Sequence, residues 1–292
     1  MEKDLFSLIN QRFPGFSKGH KLIAGYILDH YDKAAFMTAQ KLGKTVGVSE
    51  STVVRFASEL GCDGYPALQK GLQELMRNKL TAVQRIEVTS GQLEGDDVTE
   101  RVLNMDIERI RATLDEISKE DLNRAADMIA SAGTIYIMGT RSSASIAVFL
   151  NYYLSLIFPH VKLVQSATTS ELFEKIMRID SNDVMIGVSF PRYSNQTVKA
   201  LTYAKNNGAR VIAVTDSVSS PLADCADALL LARSDMASFV DSLVAPLSLV
   251  NALLVAVSSR CRDRVTATFE RLEKVWADYD VYAKNGEKPN DL

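Results

Sequence analysis

Apolar residues in the first part of the chain recur with a helical period. Leu22, Ile23, Tyr26, Ile27 and Tyr31 share one face, and Ser17 precedes them as a cap. Residues 37–61 divide at Val46-Gly47-Val48 into two short helices, the first with Ala39 and Leu42 inward. Gly47 permits the tight turn, because positive φ is free of strain only without a Cβ. Ser49 caps the second helix, Val53, Phe56, Ala57 and Leu60 form its buried stripe, and Gly61 ends it. Residues 98–114 read as a further helix. Beyond residue 133 the pattern changes to β-rich runs at 134–139, 161–164, 183–189, 210–215 and 228–232, with helical segments at 146–158 and 196–207. Strands alternating with helices predict a parallel sheet covered on both faces, a three-layer α/β sandwich behind an all-α bundle. The most apolar stretch, 243–257, contains Pro246, Ser248 and Asn251. It is too short and too interrupted to span a bilayer and reads as a buried helix. The apolar stripe at 239–257 fits core and subunit interface better than a cofactor box.

Composition narrows the classes. A chain of 292 residues, 47% hydrophobic, holds about two domains at ~100–200 residues each. The net charge of −3 excludes a uniformly basic nucleic-acid coat, though not a local basic face. Residues 1–77 carry ten basic and eight acidic side chains, leaving the small positive excess in the helical part. Three scattered cysteines (Cys62, Cys225, Cys261) exclude a disulfide framework and a C-x-x-C metal cluster, and fit small hydrophobes in a reducing, cytoplasmic setting. No secretory signal opens the chain. Thr89-Ser-Gly-Gln-Leu-Glu-Gly-Asp-Asp is the best linker candidate.

Two short helices joined by a glycine turn describe a helix-turn-helix, whose second helix enters the major groove with its N-terminal residues facing base edges. Here those residues are Ser49, Glu50, Ser51, Thr52 and Arg55. Small hydroxyl residues allow close approach, and Arg55 can reach a guanine or a phosphate. Lys41 and Lys44 suit backbone phosphates. Glu50 either accepts from a cytosine amine or favours the helix N-terminus. Many helical bundles contain such a turn, so spacing alone leaves DNA binding and plain packing both open. The short-side-chain helix start favours DNA. His20 and His30 read as surface residues of this module.

In parallel sheets ligands sit at the carboxyl ends of strands. Two of these ends are rich in hydroxyls: Gly139-Thr140-Arg141-Ser142-Ser143, and the stretch from Ser189 through Pro191, Arg192, Tyr193 and Ser194 to Thr197. Hydroxyls and free N–H groups at a helix N-terminus suit an anion, and phosphate most of all. Arg141 and Arg192 can supply full positive charge. One serine-rich turn is commonly a plain cap; two at successive strand ends, each with an arginine, point to an anionic ligand.

These residues resemble the RpiR/MurR family of bacterial transcriptional regulators over nearly the whole chain. Val48-Ser-Glu-Ser-Thr-Val-Val-Arg-Phe-Ala-Ser-Glu-Leu-Gly followed by Gly64-Tyr-Pro-Ala-Leu-Gln is similar to the family's helix-turn-helix signature. The C-terminal part resembles the sugar isomerase (SIS) domain, a phosphosugar-binding α/β sandwich. Its G-x-G-x-S motif appears as Gly139-Thr140-Arg141-Ser142-Ser143, and its S-x-S-G-x-T motif as Ser189-Phe190-Pro191-Arg192-Tyr193-Ser194. Arg141 replaces the second glycine, and Pro191-Arg192 replaces Ser-Gly. The Arg-Tyr-Ser form is similar to that of many regulators in the family. The resemblance implies that Ser143, Ser189 and Ser194 bind the phosphate, with Thr140, Ser142 and Thr197 nearby.

It also implies a regulator: a helix-turn-helix domain at 1–77, a linker and connecting helix at 78–115, an SIS domain at 116–275 and a tail at 276–292. Its partners are operator DNA, a sugar-phosphate effector and further copies of itself, as dimer or tetramer, with no cofactor, metal or membrane. The rival reading is a sugar-phosphate isomerase with an accessory helical domain. Isomerisation needs a base for the proton α to the carbonyl. The candidates are His160, at a strand start where a structural histidine is common, and Glu171, a first-turn acid. Neither stands in a catalytic constellation, so the expectation is no enzyme.

Overall fold

A computed structural model of the chain describes residues 5–77, 83, 97–235 and 240–282. The predicted linker at 89–97 lies outside these apart from Asp97. The chain groups into two compact units: Met1–Glu108 with Pro191–Tyr193 and Ser234–Ser242, and Arg109–Phe190 with Ser194–Arg233 and Leu243–Leu292.

The first unit is helical: α1 (Leu5–Arg12), α2 (Lys18–Asp29), α3 (Tyr31–Ala34), α4 (Ala39–Val46), α5 (Glu50–Glu59), α6 (Gly64–Arg77) and the start of α7 (Val98–Glu116). Ile9, Phe16, Ile23, Ile27, Leu42, Val53, Phe56, Leu68 and Leu72 form its core. Ser17 caps α2 as expected, accepting the His20 N–H. Leu22, one of the apolar residues recurring at helical spacing, is 48% exposed. The buried stripe centres on Ile23 and Ile27, and a residue one step along a helix turns about 100° away from it. His20, expected at the surface, is mostly buried: its ring meets Phe16 and Phe56 edge-on, and Nδ1 lies 2.5 Å from Glu59.

The Gly64-Tyr-Pro segment is explained by α6. The Tyr65 hydroxyl and the Gln69 amide both donate to the Met37 carbonyl, at 2.7 and 2.9 Å, tying down the chain before α4. Burial pushes the Tyr65 hydroxyl up to about 12, so it remains a donor.

The second unit is a five-stranded parallel sheet in the order β2-β1-β3-β4-β5, with β1 Ile135–Gly139, β2 Val161–Leu163, β3 Val184–Val188, β4 Arg210–Thr215 and β5 Ala228–Leu231. Helices α8 (Lys119–Ala130), α9 (Ser143–Ile157) and α12 (Val244–Arg260) share one core cluster with Ile135, Ile137, Val184 and Ile186. Helices α10 (Thr169–Ile176) and α11 (Asn195–Asn206) pack together, and α11 lies on β3 and β4. β1 and β3 are buried at every position, which is why they read as continuous apolar runs rather than as alternation. Helix α13 (Arg262–Asp278) follows α12 and buries no residue. The stretch 243–257, expected to be buried, is so on one face only: Val244 and Val255 are exposed. No single helix among the described residues is long and apolar enough to cross a membrane.

Candidate functional site

The helix-turn-helix is built as its sequence suggests. Gly47 closes α4 at φ 77°, and the Ser49 hydroxyl accepts the Thr52 N–H at the start of α5. Gly43 does a second job that the sequence left unread. A Cβ there would stand 2.8 Å from the Val48 carbonyl oxygen, so α4 and the turn approach as closely as they do only through a hydrogen. Lys41, Lys44, Ser49, Glu50, Ser51 and Arg55 are exposed, and Arg55 Nε donates to the Ser51 carbonyl at 3.3 Å. Thr52 is half-buried. Its hydroxyl lies 2.8 Å from that of Ser49, and its methyl group stands 3.3 Å from where a Cβ at Gly19 on α2 would be. Part of its role is therefore packing. Val54, 38% exposed beside Arg55, was missed: it reads as one more apolar helix position, yet it is suited to a thymine methyl group.

In the second unit the sheet order reverses at β1, whose neighbours are β2 and β3, and such a switch point opens a crevice at the carboxyl ends. Gly139 pairs with Val188, so Thr140 and Ser189 leave adjacent strands side by side, about 4.8 Å apart by strand spacing. Gly139 is fixed by contact: a Cβ would lie 2.4 Å from the Ser143 carbonyl oxygen, where β1 meets α9.

The turn hydroxyls are poised differently from ordinary caps. Ser142 occupies the N-cap of α9 but makes no side-chain cap bond. Ser143 is 5% exposed and Ser189 4%. The Ser189 hydroxyl accepts the Ser194 N–H at 3.0 Å, and that of Ser194 accepts the Thr197 N–H at the head of α11. These bonds use lone pairs and leave each O–H hydrogen available to an acceptor. The Thr197 hydroxyl is fully buried and has no partner among the described residues, and Ser166, just past β2, is in the same state. Unmet buried hydroxyls are uncommon in folded proteins and are completed by an ordered water, an ion or a ligand.

Arg141 and Arg192, the two residues standing where the SIS pattern carries glycine, hold φ of 54° and 68°. Of the described non-glycine residues only Asp280 shares that region. The glycine conformation survives at both positions although the glycine does not, at about 1–2 kcal/mol each. Both side chains are exposed, and that of Arg141 makes no hydrogen bond or ion pair among the described residues.

The isomerase candidates are placed elsewhere in role. His160 is exposed rather than packed, and it precedes β2 at the amino end of the sheet, beside Phe158, Pro159 and Arg264. The ligand turns leave the opposite end. Thr168 caps α10 by accepting the Glu171 N–H, and Glu171 completes that cap from the first turn: one carboxylate oxygen bonds Lys175 at 2.6 Å, the other accepts the Ala167 N–H at 2.8 Å. The Lys175 bond first, then the backbone N–H, holds its carboxyl below the usual range, which makes it a poor base. The cysteines are half-buried, and burial raises the Cys62 and Cys225 thiols away from reactivity. No metal-binding group of His, Cys, Asp or Glu occurs among the described residues.

A helical DNA-binding type of unit and a phosphosugar-type α/β unit are thus present in one chain. Comparison with known proteins agrees. Residues 3–79 match the helix-turn-helix domain of the rpiR family, and residues 128–256 match the SIS domain. The sugar isomerase domain of an RpiR transcription factor from Sphaerobacter thermophilus is 30% identical, with 61% of this chain and 99% of that one covered and a TM-score of 0.58. The transcriptional regulator HexR of Pseudomonas aeruginosa is 25% identical over 265 residues, covering 88% of this chain and 90% of its own. The NanR protein of Vibrio vulnificus, solved with ManNAc-6P, shares the fold at 22% identity and a TM-score of 0.57, covering 93% of this chain and 98% of that one. This chain belongs to the RpiR family of transcriptional regulators.

Proposed function

We propose that this regulator controls genes of carbohydrate metabolism, and that a sugar phosphate held at the SIS turns sets its operator affinity. The observation that carries the reading is the pair of arginines kept at positive φ on hydroxyl-rich turns. Strain of this kind persists where function requires it. The phosphate is assigned to the O–H groups of Ser143, Ser189 and Ser194 and to the guanidinium groups of Arg141 and Arg192, with Thr140, Ser142 and Thr197 completing the cradle. NanR, with its ManNAc-6P, supports a phosphosugar as the class of ligand. Arg55, Ser49, Ser51 and Thr52 are assigned to the major groove, and Lys41 and Lys44 to phosphates.

On this reading residues 1–77 bind DNA, 78–115 connect, 116–275 sense the ligand and 276–292 form a tail. The protein acts in the cytoplasm as a homodimer or tetramer. Two half-sites must lie a whole number of turns apart, about 34–36 Å each, so a small change in the spacing of two helix-turn-helix units alters affinity. The coupling is of order 1–3 kcal/mol and reciprocal: DNA changes sugar-phosphate affinity by the same factor.

A thermal-shift screen tests the site, since a ligand for the native state raises the melting midpoint by mass action. Phosphosugars should raise it and the matching unphosphorylated sugars should not. Ser143→Ala with Ser189→Ala should abolish the shift while operator binding persists. An unchanged shift in that variant would refute the assignment.

A further inference from the structure

The second helix of the helix-turn-helix carries one outward residue beyond its polar set, Val54. Ser51, Val54, Arg55 and Ser58 stand at i, i+3, i+4 and i+7 of α5, which makes them one stripe, and all four are exposed. Val53, Phe56 and Ala57 are buried on the opposite side. Val54 is the only apolar member of the stripe, and Arg55 is its only charge. Glu59, at the helix end, is turned back to His20 on α2 at 2.5 Å.

The members of the stripe differ in what they can distinguish. Both hydroxyls are engaged locally: Ser51 Oγ lies 2.9 Å from that of Ser49, and Ser58 Oγ donates to the Val54 carbonyl at 3.4 Å. A hydroxyl can also turn to pair with a donor or an acceptor, so it separates bases poorly. Arg55 is more selective. Its Nε is held by the Ser51 carbonyl, which leaves the two terminal nitrogens for the bidentate bond that guanine accepts at O6 and N7. A single exposed valine is ordinary on most surfaces. It is not neutral on a face that enters a groove, because every group there gives up its water. An isopropyl group set against a base amine or carbonyl leaves that polar atom unpaired. Set against the 5-methyl group of thymine, it buries apolar surface on both sides.

We infer that Val54 selects thymine in the operator, at the base pair next to a guanine taken by Arg55. The inference rests on the major-groove reading proposed above and adds which bases are read. Neighbouring Cα atoms stand about 3.8 Å apart, close to the ~3.4 Å step between base pairs, so residues 54 and 55 are matched to successive pairs. Sequence choice then falls on two side chains, one acting by hydrogen bonds and one by shape, while the short hydroxyl residues allow the close approach.

Selection by the full chain from duplexes with a randomised core of about two helical turns tests this. The parent should enrich a thymine beside a guanine at a fixed place in each half-site. Val54→Ser should enrich the same guanine without the thymine. Val54→Thr, which keeps a methyl group, should retain both. Position 54 is exposed, so both variants should keep the parent's circular dichroism. Deoxyuridine in place of the selected thymine removes only the methyl group. The parent should bind that duplex about fourfold less tightly per half-site, the worth of one buried methyl group, and Val54→Ser should bind the two duplexes equally. A parent that enriches a sequence with no thymine beside the guanine overturns the inference. So does a Val54→Ser variant that keeps the thymine and the full deoxyuridine penalty. Either result leaves the DNA-binding reading standing. A parent that enriches no sequence at all overturns both.

Discussion

The two binding regions use the same residue types in opposite ways. In the helix-turn-helix, the residue at positive φ is a glycine, Gly47, and the Ser49 hydroxyl lies 2.9 Å from that of Ser51 and 2.8 Å from that of Thr52. Its local bonding is complete before DNA arrives. At the SIS turns positive φ falls on Arg141 and Arg192, Ser142 caps nothing, and Thr197 is buried without a partner. One region is a finished surface that a rigid duplex can meet. The other holds strain and open hydroxyls that a small anion would relieve. The difference suits their roles, because a sensor must gain something from its ligand that the empty state lacks.

Two glycines break the comparison most severely. Gly139→Ala places a methyl group 2.4 Å from the Ser143 carbonyl oxygen, so β1 and α9 must separate. Overpacking of this kind costs about 3 kcal/mol, or ~6–12 °C for a domain of this size, and phosphosugar binding should vanish with it. Gly43→Ala makes the corresponding clash at 2.8 Å in the DNA unit and should abolish operator binding while the phosphosugar shift survives. Scanning calorimetry with both ligands separates the two. Loss of both functions in either variant would mean that the regions are not independently built.

Next comes Arg55→Ala. Removing a base-edge or phosphate contact should weaken operator binding by about 2 kcal/mol, roughly thirtyfold. Lys41→Ala and Lys44→Ala should instead each lower the salt dependence by about one unit of slope. Electrophoretic titrations at several salt concentrations would distinguish them. If Arg55→Ala binds like the parent, α5 is not the reading helix.

Much of this was legible in the sequence, and the exceptions have physical causes. The strands showed as apolar runs because a parallel sheet buries both faces, and the caps at Ser17 and Ser49 showed because few residues can accept an N–H at a helix start. Leu22 and Val255 misled because apolar type does not fix burial; the direction of the stripe does. Gly43 was unreadable because its need comes from Val48 across a turn, not from its own φ. The positive φ at Arg141 and Arg192 was equally hidden, since arginine gives no hint of a left-handed backbone. Only the glycines of the family pattern pointed there.

Arg141→Gly sharpens the contrast by separating stability from binding. Glycine accepts φ 54° freely, which removes a penalty of about 1–2 kcal/mol, while its greater freedom when unfolded returns about 0.5–1 kcal/mol. The empty protein should therefore melt slightly higher. Phosphosugar affinity should fall about tenfold, the ~1.5 kcal/mol of a charge-assisted hydrogen bond. Calorimetric titration beside the melting curve reads both. A variant that melts higher and binds as well as the parent would make Arg141 an accident of sequence.

The smallest effect belongs to Glu171, and it separates a cap from a catalytic base. The bonds to Lys175 and the Ala167 N–H hold its carboxyl below 4.5, its ordinary value. A group whose folded pKa is depressed adds stability above the unfolded value and loses it as pH falls through the folded one. Glu171→Gln should accordingly melt a little below the parent at pH 7, and the gap should close in acid, well below pH 4.5, where both side chains are neutral. The pair is exposed, so the gap should also shrink in high salt. Operator binding and the phosphosugar shift should be untouched at neutral pH. A variant that instead keeps its melting behaviour at every pH while losing turnover of a phosphosugar would restore the isomerase reading, because a general base is required for chemistry and a cap is not.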